Sequence, residues 1–184
     1  DSVAELVMGY MRSLVRFMHD SNRQMPLEGD SKFGALKKSY AKGVELRGRT
    51  LGIIGFGRIG QALAKLAIGA GMKVVFSDIH EDNVDVELSF FDGQSAKFTC
   101  ENVGFDRVLS ESDFISVHVP GGDLIGANEL TKMKDGVVLL NAARGGVINE
   151  EALLDALESG KVAGAGLDVF VNEPTPAVKV LMNG

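Results

Sequence analysis

The sequence predicts an α/β fold with a doubly wound parallel sheet, preceded by an N-terminal amphipathic helix and arm. From Thr50 onward, short apolar runs of strand length alternate with segments whose apolar residues recur at helical spacing. A glycine-rich turn, which contains Gly55, Gly57 and Gly60, stands between the first apolar run and the first such helix. Alternation of this kind is typical of parallel strands joined by crossover helices.

The composition indicates one globular domain with an appendage. The chain has 184 residues, of which 45% are hydrophobic. A net charge of -6 disfavours a nucleic-acid surface, and neither a spanning apolar run nor a secretory signal is apparent, so we expect a cytoplasmic protein without a membrane partner. The single Cys100 predicts a reduced thiol, which excludes disulfide and zinc chemistry, and we expect no metal.

The first segment, residues 2–20, predicts a helix that is covered on more than one side. Ser2 and Glu5 have capping-box spacing. The apolar residues at helical spacing are Val3, Leu6, Val7, Tyr10, Met11, Leu14 and Met18. Residues 21–48 are polar and predict an irregular arm. We expect its lysines to lie on a solvated surface: Lys32, Lys37, Lys38 and Lys42.

The core elements follow in order along the chain. The predicted strands are residues 51–54, 72–77, 114–119, 137–141 and 162–170. The predicted helices are residues 58–70, 128–133 and 150–159. In the first of these helices we expect Ile59, Leu63 and Leu66 to face inward. Residues 81–101 are polar with interspersed aromatic residues, and we expect an irregular excursion there.

The glycine-rich turn has the pattern G-x-G-x-x-G directly after a strand and at the start of a helix. Gly55 permits the tight turn, Gly57 lets the backbone approach a pyrophosphate, and Gly60 allows the helix to pack closely on the strand. The phosphates would lie at the helix N-terminus near Arg58. The pattern therefore predicts a Rossmann-type dinucleotide site; the alternative is a tight turn that binds nothing.

An acidic residue stands where the dinucleotide fold needs one. Asp78 lies 18 residues after Gly60, at the end of the next predicted strand. Its carboxylate can accept hydrogen bonds from a ribose diol and would repel a 2′-phosphate. The following residues, Ile79 and His80, include no arginine to bind that phosphate. The sequence therefore favours NAD over NADP.

Four ordered motifs carry a family resemblance: GVELRGRTLGIIGFGRIG at residues 43–60, DFISVHVP at 113–120, NAARGGVINEEAL at 141–153 and GLDVFVNEP at 166–174. The chain resembles the D-2-hydroxyacid dehydrogenases, and within them the phosphoglycerate dehydrogenase branch. The resemblance is weakest over residues 81–104. It implies an oxidoreductase that transfers a hydride between NAD and a 2-hydroxy acid, and in that branch it implies oxidation of 3-phosphoglycerate in serine biosynthesis.

The resemblance also implies residue roles. Arg144 matches the arginine that binds the substrate carboxylate and polarises the carbonyl, and Glu173 matches the glutamate that raises the pKa of a catalytic histidine. Asp168 matches a residue near the nicotinamide amide. The implied cofactor-binding residues are Gly55, Gly57, Arg58, Ile59, Gly60, Asp78, His118, Val119, Pro120, Ala142, Ala143, Arg144 and Asp168.

The catalytic histidine of the family has no counterpart here. We expect His19 and His80 to be surface residues, and the resemblance places His118 in the cofactor site. We therefore expect the histidine and a separate substrate domain to lie outside this chain. Residues 49–184 would then be the NAD-binding core, behind a dimerisation region at residues 1–48.

The sequence departs from the family pattern in two places, and two other functions fit the same motifs. The connection between Asp78 and Asp113 is longer than is usual in the family, and the loop after Pro120 is shorter. Another dehydrogenase of the family, for glycerate, lactate or formate, fits the same motifs. So does a corepressor of the C-terminal-binding-protein type, in which the scaffold is an NAD-sensing interaction module. We expect a homodimer.

Overall fold

The computed structural model describes residues 2–80 and 82–173. The helices are α1 (Ser2–Val15), α2 (Met18–Tyr40), α3 (Arg58–Gly69), α4 (Phe105–Glu111), α5 (Ala127–Lys132) and α6 (Glu150–Glu158). The strands are β1 (Thr50–Ile54), β2 (Lys73–Ser77), β3 (Val84–Ser89), β4 (Ser95–Asn102), β5 (Phe114–Val117), β6 (Val137–Asn141) and β7 (Val162–Leu167).

The strands form one sheet in the order β3-β4-β2-β1-β5-β6-β7. All neighbouring pairs are parallel except β3 and β4, which form an antiparallel hairpin. The chain winds outward in both directions from β1, which confirms the predicted doubly wound α/β fold. The carboxyl ends of β1, β2, β5, β6 and β7 consequently lie along one edge of the sheet, here called the carboxyl edge.

Helices cover both faces of the sheet. One core cluster joins β1 to α1 and α3 and includes Met11, Leu51 and Leu63. The other joins β5 and β6 to α4, α5 and α6 through residues such as Ile115 and Leu153. Because each central strand contributes to both clusters, the sheet is buried on both faces, as is usual for parallel sheets.

Helix α1 lies against β6, β7 and α3, so it is covered on more than one side, as predicted. A Cβ placed on Gly166 would lie 2.9 Å from Tyr10 Cβ, which shows how closely α1 approaches β7. The predicted extension of the helix to residue 20 is wrong, because Phe17 adopts a left-handed conformation (φ 53°) and ends it. Ser2 is the first residue of α1 itself and does not precede it.

The expectation of an irregular arm at residues 21–48 is also wrong, because most of it is α2. Among the described residues of α2, Leu36 alone is buried. The helix therefore has no apolar stripe that a periodicity search could detect. Local pairs support it instead, including the ion pair of Lys32 with Glu28 one turn apart (3.0 Å). At Lys32 the helix is kinked, and Tyr40 Oη donates a hydrogen bond to Gln24 Oε1 (2.7 Å), so its two halves fold back on each other.

The expected irregular excursion at residues 81–101 is the β3–β4 hairpin. Val86 and Cys100 are buried on its inner face, where β3 contacts α3, while Asp85 and Glu87 face outward. This alternation has period two, so the signal for a strand was present. Exposed aromatic residues in the turn, among them Phe91, obscured it.

Smaller differences follow from packing. Leu66 of α3 is exposed and does not face inward, because the buried face of that helix is formed by Gly60, Leu63, Ala64 and Ala67. Helix α4 was not predicted. The strands β5 and β7 end at Val117 and Leu167, before the predicted ends at residues 119 and 170.

Within the described part of the chain, no helix is long and apolar enough to cross a membrane. The same residues contain no group of His, Cys, Asp and Glu side chains arranged to hold a metal ion.

Candidate cofactor-binding site

The glycine-rich turn connects β1 to α3 at the carboxyl edge. Gly55 has φ +89°, a conformation that side chains rarely adopt. A Cβ on Gly60 would lie 2.5 Å from Gly55 O, so the helix packs against the turn as closely as predicted. A Cβ on Gly57, in contrast, would have no atom of the described chain within 4 Å. The space above Gly57 is therefore open at the helix N-terminus, where backbone N–H groups and the helix dipole favour an anion.

The end of β5 forms one wall of this turn. The backbone N–H of His118 donates to Ile54 O (2.7 Å), and a Cβ on Gly55 would lie 2.6 Å from His118 O. The requirement for glycine at position 55 thus comes both from its positive φ and from the segment that contains His118. The two motifs, far apart in sequence, are parts of one site.

Asp78, at the end of β2, is bonded to the turn. Its Oδ2 accepts a hydrogen bond from the Phe56 N–H (2.6 Å) and its Oδ1 accepts one from the His80 N–H (2.9 Å). Burial acts to raise the pKa of this carboxyl, but the backbone donors from His80 and Phe56 outweigh it and the pKa is lowered. Asp78 is therefore a carboxylate at neutral pH, and its two oxygens retain capacity for a further donor.

His118 is neutral at the same edge. Burial lowers the pKa of its imidazole to about 4. Its Nε2 lies 2.9 Å from the hydroxyl Oγ of Ser116, which is fully buried. A group that is unprotonated at pH 7 cannot deliver a proton as a general acid, so this geometry suits a wall of the site better than proton transfer.

The segment after β6 is held in a tight turn by Asn141. The buried Asn141 side chain donates to Arg144 O (3.0 Å) and accepts from the Ala143 N–H (3.1 Å). Arg144 is exposed at the carboxyl edge, with its Nη1 donating to Ala143 O (2.7 Å). The turn therefore presents a permanently charged guanidinium at the same edge as the glycine-rich turn.

The segment after β7 packs against this turn. A Cβ on Gly145 would clash with Phe170 O, so the two backbones meet there. Asp168 accepts a hydrogen bond from Tyr10 Oη (3.4 Å), and its charge adds to the effect of burial in raising the pKa of that tyrosine. The exposed Glu173 accepts from the Phe170 N–H (2.7 Å), which orients the carboxylate at the end of the described chain.

The structure thus brings the predicted residues of five strand ends to one edge. Among them, Arg58 and Ile59 open α3, whereas Val119 and Pro120 follow β5 and Ala142 follows β6. Besides Asn141, sequence reasoning missed three polar supports of the site. Ser116 contacts His118, Tyr10 contacts Asp168, and the Asn102 amide donates to Asp78 O (2.8 Å). Only Ser116 stood inside a recognised motif, so spacing along the chain could not reveal the other two.

The arrangement fits a dinucleotide. The space over Gly57 suits a pyrophosphate, and the Asp78 carboxylate lies beside it, where an adenosine ribose would extend from the phosphates. In open α/β sheets, ligands bind at this crevice outside the carboxyl ends of the strands, where the chain reverses direction around β1. The residues present therefore fit NAD.

Comparison with known proteins supports the same reading. The family model described as "D-isomer specific 2-hydroxyacid dehydrogenase, NAD binding domain" matches residues 8–183. A hydroxypyruvate reductase of Thermotoga maritima is 44% identical over 177 residues, which cover 94% of this chain and 52% of that protein. A D-3-phosphoglycerate dehydrogenase of Archaeoglobus fulgidus is 37% identical over 177 residues, or 94% of this chain and 31% of that protein.

Solved structures agree in fold. A glyoxylate reductase of Paecilomyes thermophila superposes with a TM-score of 0.77 at 34% identity, covering 97% of this chain and 51% of that chain. An NAD-dependent formate dehydrogenase of Staphylococcus aureus, solved in complex with NAD, gives a TM-score of 0.78 at 29% identity, with coverages of 96% and 50%.

The chain spans at most about half the length of the curated relatives described above. Within that span, the match of the family model to nearly all of the chain agrees with the glycine-rich turn, the acidic residue after β2 and the doubly wound sheet. The chain belongs to the D-isomer specific 2-hydroxyacid dehydrogenase family, as its NAD-binding domain.

Proposed function

We propose that this domain serves an NAD-dependent oxidoreductase that interconverts 2-hydroxy acids and 2-oxo acids. The observation that carries the proposal is the convergence of three features at the carboxyl edge. These are the open space over Gly57, the ionised Asp78 bonded to the same turn, and the Arg144 guanidinium on a turn held by Asn141. A corepressor of the same fold would share these features, so turnover by the complete protein is what separates the two candidates.

The cofactor is held by the first two features. NAD, when bound, supplies the acceptor for a hydride. The N-terminus of α3 binds the pyrophosphate over Gly57, and Asp78 accepts hydrogen bonds from the ribose hydroxyls with the lone pairs that Phe56 and His80 leave free. Because the carboxylate stays charged, it repels the 2′-phosphate of NADP.

Arg144 binds the substrate. A guanidinium can donate two parallel hydrogen bonds to a carboxylate, which fixes both the position and the orientation of a 2-oxo acid. Its bond to Ala143 O and the side-chain bonds of Asn141 hold the turn in advance of binding. This reduces the ordering that binding requires.

None of the three histidines in the described part of the chain suits proton transfer at this site. Low basicity excludes His118 as the acid at neutral pH, His19 lies on α2 beside Arg23, and His80 flanks Asp78. We propose that Glu173 orients a histidine from another part of the protein. An ionised carboxylate next to an imidazole raises the pKa of the imidazole, as a proton donor and acceptor near neutral pH needs.

For the substrate we propose 3-phosphoglycerate, oxidised to 3-phosphohydroxypyruvate in serine biosynthesis. The D-3-phosphoglycerate dehydrogenase of Archaeoglobus fulgidus is 37% identical over 177 residues, and a Schizosaccharomyces pombe protein named "Putative D-3-phosphoglycerate dehydrogenase" is 40% identical over 177 residues. A second candidate is hydroxypyruvate, since the relative from Thermotoga maritima is 44% identical over the same length. The two 2-oxo acids, phosphohydroxypyruvate and hydroxypyruvate, both carry the carboxylate that Arg144 would bind, and they differ in a phosphate.

A substrate panel tests the proposal. The complete protein would be assayed by NADH consumption with phosphohydroxypyruvate, hydroxypyruvate and glyoxylate. We expect the phosphorylated substrate to give the highest kcat/KM. We expect Arg144→Lys to lower kcat/KM by about tenfold to hundredfold, the equivalent of one charge-assisted hydrogen bond. The matched control is Arg107→Lys, whose guanidinium pairs with Glu111 on the surface of α4 (2.7 Å).

The role of Arg144, the substrate and the reaction class are each contradicted by a different result. Activity of Arg144→Lys equal to that of the wild type would contradict the role of Arg144. Preference for hydroxypyruvate would replace the proposed substrate and leave the reaction class intact. Absence of turnover with every 2-oxo acid, together with intact NAD binding, would contradict the enzymatic proposal and favour the corepressor alternative.

A further inference from the structure

Helix α1 reaches the carboxyl edge of the sheet through one side chain, Tyr10. Its Oη donates a hydrogen bond to Asp168 Oδ1 (3.4 Å), which joins two residues 158 positions apart. Within the described part of the chain, the Asp168 carboxylate has no other hydrogen-bond partner. The bond is longer than the about 2.7 Å that is usual between a hydroxyl and an oxygen acceptor, as hydrogen bonds of catalytic sites often are until the ligand is bound.

The backbone of β7 leaves room for Tyr10. A Cβ on Gly166 would lie 2.9 Å from both Cβ and Cγ of Tyr10. One turn further along α1, Leu14 Cδ2 would lie 3.3 Å from a Cβ on Gly164. Any larger residue at position 166 would therefore displace the phenol ring. Because position 166 has no side chain, the ring lies directly on the strand and its hydroxyl reaches the strand's carboxyl end.

Asp168 projects from the same face of the sheet as Gly166. Successive residues of a strand alternate between the two faces, and the Asp168 N–H continues the pairing of β7 with β6 by donating to Asn141 O (3.0 Å). The face shared by residues 164, 166 and 168 carries α1 and α3. The Asp168 carboxylate thus faces the side of the crevice where α3 begins, beside the open space over Gly57.

The position of Asp168 along the carboxyl edge selects the end of the cofactor that it can meet. The strand that carries Asp78, β2, lies on one side of β1, whereas β5, β6 and β7 follow in order on the other. A dinucleotide with its adenosine ribose at Asp78 and its pyrophosphate over Gly57 must continue toward β6 and β7. The nicotinamide at that end carries a carboxamide with two N–H donors, and a carboxylate is a pure acceptor.

We propose that Tyr10 is a positioning residue for the nicotinamide end of NAD. Its hydroxyl holds Oδ1 of Asp168, so that Oδ2 accepts a hydrogen bond from the carboxamide and the ring is fixed against rotation. Tyr10 lies outside the four motifs of the family resemblance and acts through Asp168. The inference rests on the proposed function, since it takes NAD to be the cofactor.

The phenol of Tyr10 keeps its proton over the working range of such an enzyme. Burial of the ring, together with the charge of Asp168, raises the pKa of the phenol. Tyr10 is therefore a hydrogen-bond donor at neutral and moderately alkaline pH, and Asp168 is the acceptor.

Binding of NAD and of ADP-ribose tests the proposal, because ADP-ribose lacks the nicotinamide. Calorimetric titration of the complete protein would compare the wild type with Tyr10→Phe, which removes the hydroxyl alone. We expect the Kd for NAD to rise about threefold to tenfold and the Kd for ADP-ribose to stay unchanged. The matched control is Tyr40→Phe, because the Tyr40 hydroxyl donates to Gln24 within α2 (2.7 Å). We expect this control to change neither affinity.

A double-mutant cycle tests whether Tyr10 acts through Asp168. We expect Asp168→Ala to weaken NAD binding at least as much as Tyr10→Phe does, and Tyr10→Phe to have no further effect in that background. Equal losses of affinity for NAD and ADP-ribose in Tyr10→Phe would mean that Tyr10 only supports the fold, and would overturn the proposal. An unchanged affinity for NAD, or full additivity of the two substitutions, would overturn it as well.

Kinetics of the complete protein separate this inference from the proposed function. We expect Tyr10→Phe to lower kcat about threefold to tenfold and to leave the KM for the 2-oxo acid unchanged, since the substrate is bound by Arg144. A raised KM with an unchanged kcat would contradict the positioning role. If the wild type turns over no 2-oxo acid, the proposed function fails, whereas the difference between NAD and ADP-ribose still decides the role of Tyr10.

Discussion

Gly57 and Gly60 belong to the same turn, but substitution by alanine should affect them in opposite ways. A Cβ on Gly60 would lie 2.5 Å from Gly55 O and 3.2 Å from Ile53 Cγ2, with backbone on one side that cannot move freely. Overpacking of this kind costs about 1–3 kcal/mol, and the higher helix propensity of alanine offsets up to about 1 kcal/mol. We therefore expect Gly60→Ala to lower the free energy of unfolding by about 1–2 kcal/mol.

Gly57→Ala should leave the fold nearly unchanged. Gly57 has φ -69°, which alanine adopts readily, and its Cβ would meet no atom within 4 Å in the described chain. The loss of a favourable helix-cap residue costs at most about 1 kcal/mol. The added methyl group does, however, occupy the space assigned to the pyrophosphate. We expect the Kd for NAD to rise at least tenfold, about 1.4 kcal/mol.

The assay is denaturant unfolding and NAD titration of both variants and the wild type. For Gly57→Ala we expect the loss of free energy of NAD binding to exceed the loss of free energy of unfolding. If Gly57→Ala binds NAD as tightly as the wild type, the phosphate does not lie over Gly57. If Gly60→Ala is as stable as the wild type, the helix does not pack on the turn as described.

Three further predictions concern titratable groups. Asp78→Ala should weaken NAD binding by about tenfold to hundredfold and reduce discrimination against NADP, whereas Asp92→Ala should change neither; calorimetry checks both. Burial lowers the pKa of His118 to about 4, so between pH 6.5 and 4 the unfolded state binds a proton on this side chain and the folded state does not. The free energy of unfolding should therefore fall by up to about 3 kcal/mol as the pH drops through this window. Denaturant unfolding of His118→Gln should lack that part of the pH dependence. If the free energy of unfolding changes with pH as steeply in this variant as in the wild type, the imidazole is not buried as described. Burial raises the pKa of the Cys100 thiol to about 11, so thiol reagents should modify it only as fast as the chain unfolds.

The parallel core was predictable because its signals are local. Residues 51–54 form an apolar run followed at once by a glycine pattern whose physical requirements are strict, and the structure shows two of them directly, at Gly55 and Gly60. The strand ends carry the site, so once the order of the strands is recognised the position of Asp78 and Arg144 at one edge follows.

In the elements that were missed, such signals are either weak or obscured. Helix α2 buries Leu36 and is otherwise supported by local pairs, so apolar periodicity could not reveal it. The β3–β4 hairpin has the correct alternation, but its aromatic residues lie at an exposed turn, where an interpretation based on a core does not expect them.

The supports of the site were missed for a different reason. Tyr10 and Asp168 are 158 residues apart, and Asn102 lies on a hairpin that was not expected. Such contacts depend on how helices and strands are placed relative to one another. No spacing rule along the chain encodes that placement.

The central claim is that this chain is an NAD-binding domain whose specificity comes from Asp78. Calorimetric titration of the chain with NAD and with NADP tests it most directly. We expect saturable binding of NAD, with binding of NADP weaker by at least tenfold. Equal affinity for the two cofactors would contradict the role of Asp78, and no binding of either would contradict the account of the glycine-rich turn as a cofactor site.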